Sequence, residues 1–197
     1  MTQSLSITVP AFLYPPRPTK AIASSLIPYF ESEGYIAQLK KNGTCTVISV
    51  DDGGQVTWNT RHNEAHKAWT PTKELTDYFS AFRNSVFVGE LLHSKGPSVK
   101  NTIYLFDVLI YLGRDLVGTT LTKRLEILKS VIPISTKILL AETHSKDLKG
   151  LFDSLADPLD EGIVLKNPDA VLRTCSRDGL NAGWQVKCRK GTKNYGF

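Results

Sequence analysis

Cysteine is scarce: Cys45, Cys175 and Cys188 are the only three in 197 residues. An odd number of distant cysteines, with no C-x-x-C pair, argues against a disulfide framework and a structural zinc. They read as reduced strand residues. Long apolar runs are lacking too. The longest, residues 103–112, carries Asp107 in its middle, so no bilayer span is expected. Residues 1–10 show no basic region followed by an apolar block, hence no visible export signal, and cytoplasmic location is the default expectation. Internal repeats and low-complexity tracts are absent.

What is present is ordinary for a globular protein: 41% hydrophobic and 22% charged residues. The length suits one sizeable core and not two, so a single domain over residues 1–197 is expected. Lys and Arg outnumber Asp and Glu by 24 to 19, a net charge of +5, which suits a polyanionic partner such as nucleic acid. The basic residues concentrate late in the chain, at Arg173, Arg177, Lys187, Arg189, Lys190 and Lys193.

Pro15, Pro16 and Pro18 make residues 1–18 an extended N-terminal arm, stiff where the prolines fix the backbone. Thr19 is placed to cap a helix toward Phe30, with Pro28 ending or kinking it. Residues 35–40, 44–50 and 55–61 read as strands, and Asp51-Asp52-Gly53-Gly54 as the hairpin turn between the last two. Thr70-Pro71 reads as the start of a helix to about Arg83. Residues 85–92 and 102–112 are rich in β-branched and aromatic residues, and so are strands. Residues 120–131 carry Leu121, Leu125 and Leu128 at helical spacing. A strand at 136–141, a short helix at 146–155 and strands at 162–166 and 184–187 complete an α+β pattern.

Lys40-Lys41-Asn42-Gly43 puts a lysine at the end of a strand, before a turn whose glycine lets a ligand approach the backbone. A neutral lysine amine is a nucleophile toward phosphorus or carbonyl carbon. By itself the tetrapeptide is also a good surface turn. Further along, Gly89-Glu90 ends a strand with an acid. Phe106-Asp107 lies in an apolar strand, followed by Gly113-Arg114-Asp115-Leu116 and Leu121-Thr122-Lys123-Arg124. Glu161-Gly162-Ile163-Val164-Leu165-Lys166 places an acid and a lysine around a buried strand, and Lys187-Cys188-Arg189 alternates basic residues on one strand face.

That ordered set resembles the ATP-dependent DNA ligase family, within the covalent nucleotidyltransferases that include RNA ligases and mRNA capping enzymes. Residues 40–43 look like motif I, the K-x-D/N-G signature. Arg61 sits where motif Ia places an arginine. Glu90 resembles motif III, Phe106-Asp107 motif IIIa, Glu161 to Lys166 motif IV, and Lys187 to Arg189 motif V. The resemblance runs from Gln38 to Arg189. It implies a nucleotidyltransferase (ATP-grasp-like) domain of antiparallel sheets flanked by helices, with no C-terminal OB-fold. It also implies that Lys40 attacks the α-phosphate of ATP to form lysyl-AMP, and that AMP passes to a 5′-phosphate before a 3′-hydroxyl seals the nick. Gln38 would read the adenine amine, Phe106 stack on the base and Glu90 hold the ribose. Arg61 would contact the nucleotide or the 5′-phosphate strand. Lys187 and Arg189 would neutralise the α-phosphate. Glu161 and Asp107 would bind Mg²⁺ or Mn²⁺.

The chain departs from the family pattern at four places. Asn42 stands for the commoner Asp, Cys45 for a ribose-binding arginine, Gln38 for a frequent Glu, and Arg189 for the second lysine of motif V. The expected absence of the OB-fold implies a minimal enzyme, a partner that supplies its function, or a domain excised from a longer protein. Nicked duplex DNA is the expected substrate, with RNA possible. The stretch from Phe106 to Leu128 looks more like DNA ligases, whereas Asn42 and Cys45 would be less surprising in an RNA ligase. A nucleic-acid-binding module that lost catalysis is the alternative outside enzymes. Zinc chemistry at His62 and His66 is disfavoured, because Asn63 stands where a zinc protease needs Glu.

Overall fold

The computed structural model describes residues 12–93, 99–132, 135–177 and 181–191. Two sheets organise the chain. The first has the order β1-β10-β9-β2, formed by Arg17–Ala21 (β1), Asn181–Arg189 (β10), Asp160–Lys166 (β9) and Ile36–Lys41 (β2). The second runs β4-β3-β5-β6-β7, formed by Val56–Thr60, Thr44–Val50, Ser85–Leu92, Thr102–Tyr111 and Arg114–Asp115. Ile138–Leu140 (β8) pairs with β6 off this path. Pairing is antiparallel except for β1 with β10 and β6 with β8. The expected α+β fold of antiparallel sheets flanked by helices is what forms, with these two parallel pairs added.

Each sheet buries one face under helices. Ile27 of α1 (Ile27–Ser32) and Leu148 and Phe152 of α4 (Leu148–Ser154) cluster with Ala37, Ile163, Leu165 and Val186 of the first sheet. Leu75 and Phe79 of α2 (Lys73–Ser80) and Leu128 of α3 (Leu121–Val131) cluster with Ile48, Phe87 and Leu105 of the second. β5 is covered on both faces. Phe87 and Leu91 enter the core under α2 and α3, while Val86 and Val88 join Val47, Leu109 and the arm residues Phe12 and Leu13. Two-sided burial explains why its sequence reads as a continuous apolar run.

Several local expectations shift. Thr19 lies in strand β1, not at a helix cap, and Pro28 falls in the first turn of α1, where its missing N–H costs nothing. The cap of α2 is Thr72, whose Oγ1 accepts from the Leu75 N–H at 3.3 Å, two residues after the expected Thr70. β7 was not visible because two residues carry no periodicity. Residues 1–11 of the arm, and Lys193, lie outside the described residues. From residue 17 the arm is a paired strand. Among the described residues no helix is long and apolar enough to cross a membrane.

β2 does not pair with β3. It pairs with β9, and the chain crosses from one sheet to the other at Asn42 and Gly43. That crossing leaves a cleft walled by both sheets and by the arm.

Candidate active site

Strand register builds the site. Directly opposed residues on neighbouring strands share a face. Across β2, β9 and β10 one row is Gln38, Val164 and Lys187, and the next is Lys40, Gly162 and Arg189. Gln38, Lys40, Val164 and Lys166 line the cleft with Phe106, Glu90 and Arg61 from the second sheet and its loops. Empty space there is about 730 Å³, open solvent at the mouth included, within the range of small-molecule sites.

At the closed end Lys166 is 4% exposed, and its Nζ donates to Gln38 Oε1 at 2.6 Å. An ammonium offers only donors, so this contact fixes the Gln38 carboxamide with Nε2 turned away from Lys166. Gln38 Nε2 and Gln185 Nε2 are buried donors without a protein partner among the described residues. A buried donor left unmade is costly, so the closed end is suited to a ligand bearing acceptors. The Lys166 Nζ also lies 5.0 Å from the centre of the Phe106 ring. Burial pushes the Lys166 amine down to about 8, with Arg124 adding and Asp107 and Cys45 opposing. Cys45 borders the same space. Its thiol is pushed up to about 12, chiefly by burial and next by Glu90, so it is not a thiolate nucleophile.

At the open end Lys40 pairs with Glu161, whose Oε1 also lies 3.8 Å from Arg189 Nε. Lys187 is lowered by burial first, then by the cations Arg189, Lys40, Arg61 and Arg17. These groups form one electropositive wall, suited to a polyphosphate. Glu90 Oε1 accepts from the Gly43 N–H at 3.2 Å. Burial pushes the Glu90 carboxyl up to about 7, with Glu161 adding and Lys40, Gly43 and Arg61 opposing. Gly43 has no room for a side chain: a Cβ would run into the Leu91 carbonyl oxygen and Glu90 Cγ. Gly162, at φ +151°, is equally confined by the Cys188 carbonyl.

The structure thus gathers Lys40, Gln38, Arg61, Glu90 and Phe106 at the cleft, with Glu161, Lys187 and Arg189 on the same side of the sheet. Asp107, expected at a metal, is not among the cleft-lining residues, and its carboxylate is committed to Arg124. Phe106 is the extra residue at a β-bulge, with Asp107 opposite Val88 and Leu105 opposite Gly89; Phe106 lines the cleft, while Asp107 is held by Arg124 of α3. Asp107 Oδ1 accepts from Arg124 Nε at 2.7 Å and Oδ2 from Nη2 at 3.1 Å, with the Val108 N–H adding a bond to Oδ1 at 2.8 Å. Asp107 is 3% and Arg124 0% exposed. His62 and His66 do not converge: His62 meets Arg61, and His66 Nε2 meets Thr46 Oγ1 at 3.1 Å.

Val164, Gln185 and Arg17 also line the cleft, and sequence reading gave none of them a role. Lys166 was read as part of a motif, without the Gln38 contact. Strand alternation from Lys166 reaches Val164. Gln185 and Arg17 needed the β10 register and the β1–β10 pairing.

The fold defines the class first. Its architecture is the nucleotidyltransferase domain of ATP-dependent ligases. A mycobacterial DNA ligase D complexed with ATP superposes with a TM-score of 0.66 at 18% identity, over 90% of this chain and 60% of that one. The ATP-dependent DNA ligase of bacteriophage T7, also in complex with ATP, gives 0.60 at 16% identity, over 89% and 68%. An archaeal ATP-dependent RNA ligase gives 0.52 at 13%, over 88% and 48%. The chain therefore spans 60% of the length of the first and about half of the third. Residues 89–184 match the family model described as ATP dependent DNA ligase domain. No curated protein gives a significant match to the sequence.

Proposed function

We propose that the chain is the self-adenylating unit of an ATP-dependent polynucleotide ligase acting on nicked duplex DNA. One observation carries the reading. Lys40 stands on the strand row beside Gln38, so an amine at a cationic wall and a base-sized closed end with unmet donors lie in one cleft.

A purine enters against Phe106, with Val164 on the facing strand. Gln38 Nε2 donates to a ring nitrogen in place of the expected contact with the adenine amine, because its Oε1 is engaged by Lys166. Glu90, as carboxylate, accepts from a ribose hydroxyl. Lys187 and Arg189 meet the α-phosphate as negative charge builds on it. The Lys40 Nζ lone pair then attacks the α-phosphorus. An N–P bond forms, the P–O bond to the β-phosphate breaks, and pyrophosphate leaves. The amine proton passes to Glu161 or to water. AMP next moves to a 5′-phosphate end, and the adjacent 3′-hydroxyl displaces it. Mg²⁺ fits this site as a substrate-held ion: the described residues contain no group of three or more His, Cys, Asp or Glu that could cage a metal, while Glu161 supplies one carboxylate. When bound, it would neutralise phosphate charge.

DNA is favoured by the family match over residues 89–184 and by the DNA ligases among the similar folds. The test is incubation with α-labelled ATP, then comparison of a nicked DNA duplex with a nicked RNA. Covalent label and sealing of the DNA are expected. No label from unadenylated protein would end the enzyme reading, and sealing of RNA alone would replace DNA with RNA.

A further inference from the structure

Of the three lysines that line the cleft, Lys166 is held at the closed end by Gln38, which leaves Lys40 and Lys41. Proximity alone therefore does not select the amine that meets phosphorus. Successive strand residues point to opposite faces, and each lysine has its own acid. Lys40 pairs with Glu161, and Lys41 Nζ lies 2.5 Å from Asp160 Oδ1. The acids are consecutive, like the lysines. Register explains the match: Lys40 opposes Gly162 and Lys41 opposes Asp160, so β9 carries Glu161 as an extra residue at a bulge. The bulge aims Glu161 at Lys40 and leaves Asp160 opposite Lys41.

The second pair is well shielded. The Lys41 side chain is 14% exposed and that of Asp160 8%, where salt screens little. Lys41 Nζ also lies 5.5 Å from the centre of the Tyr104 ring, a contact that strengthens with desolvation. Tyr104 sits on β6 two residues before Phe106. Leu39, Tyr104, Leu140 and the carboxylate-bearing Glu142 line the groove around Lys41.

We propose that Asp160, assisted by Tyr104, is a positioning residue that withholds Lys41 from the nucleotide and leaves Lys40 as the one amine presented to the α-phosphorus. This rests on the lysyl-AMP reading of the cleft. Freed from Asp160, Lys41 can follow the same chemistry: its Nζ forms the N–P bond, pyrophosphate leaves, and the amine proton goes to water.

The experiment is self-adenylation of the full chain with ATP, followed by peptide mapping of the adduct by mass spectrometry. Wild type carries AMP on Lys40 alone, and Lys40→Ala carries none. Lys40→Ala with Asp160→Asn regains label, on Lys41, at about 1–10% of the wild-type rate, since the freed amine is imperfectly aimed. Lys40→Ala with Asp160→Glu, which keeps the acid, stays unlabelled. A folded Lys40→Ala/Asp160→Asn protein without label overturns the proposal. If Asp160→Asn does not fold, Lys41→Met with Asp160→Leu replaces the pair by apolar side chains. With no rival left to withhold, it adenylates Lys40 within about threefold of wild type. Collapse of Lys40 labelling in that folded variant also overturns the withholding role. A wild type with AMP nowhere, or elsewhere than Lys40, defeats the reading of the site itself.

Discussion

Lys166 and Gln38 meet across the floor of the cleft, Nζ to Oε1 at 2.6 Å, and that one bond decides which end of the carboxamide a ligand encounters. Lys166 comes from β9 and Gln38 from β2, next to each other in the sheet. Neither is reached by solvent, at 4% and 2% exposed. Lys166→Met frees the carboxamide to turn. The KM for ATP in self-adenylation should rise about tenfold, since losing a hydrogen bond to a charged group costs about 1.5–3 kcal/mol. The maximal rate should hardly change. A steady-state ATP titration checks this, and an unaltered KM would mean that Lys166 does not orient Gln38.

Glu90 gives a pH signature. Its carboxyl is raised to about 7, burial being the main cause. A raised carboxyl favours the folded state below the unfolded value, near 4.5, and that contribution is lost as pH rises through about 7. Glu90→Gln should therefore melt higher than wild type at pH 8, by the equivalent of about 1–3 kcal/mol. The two proteins should melt alike, or nearly so, at pH 5. ATP affinity should show the opposite trend in wild type, weakening as pH falls below 7 because the ribose acceptor is protonated. Equal melting differences at both pH values would rule out the buried carboxylate as their source.

Asp107 is a structural ion-pair partner. Asp107→Asn leaves Arg124 buried with half of its fork unmatched, and stability should fall by about 3–5 kcal/mol in denaturant titration. In protein that remains folded, the Mg²⁺ concentration giving half-maximal adenylation should not move. Glu161→Gln should shift it upward. A shift with Asp107→Asn and none with Glu161→Gln would reverse the assignment.

Lys187 tests the cationic wall. Lys187→Ala should slow self-adenylation about 100-fold, in the range for losing one preorganised donor to developing charge. Lys187→Arg should restore part of the rate. Pre-steady-state labelling separates this from weaker binding: the rate at saturating ATP falls, rather than the concentration needed to saturate.

Much of this site was legible before any coordinates, and the reason is strand geometry. Gln38 and Lys40, or Lys187 and Arg189, are two apart in strands, so they share a face whatever the tertiary arrangement. Phe106 and Asp107 are neighbours at a β-bulge, where simple alternation does not say which of them meets the cleft. The partner that takes up the Asp107 carboxylate, Arg124, is 17 residues away on α3, beyond any local pattern. Register was the other blind spot. Nothing in residues 36–50 announces that β2 pairs with β9 rather than β3. Without that pairing, Gln185, Val164 and the bulge at Glu161 cannot be placed. Thr19 failed for a different reason: a good capping residue was overridden by tertiary pairing of β1 with β10.

The central claim is that Lys40 carries AMP. Intact-mass measurement of the protein after incubation with ATP and Mg²⁺, with Lys40→Ala in parallel, tests it most directly. The account predicts a mass gain of one AMP on wild type, acid-labile and reversed by pyrophosphate, and no gain on Lys40→Ala. A gain of the same size on folded Lys40→Ala would contradict it.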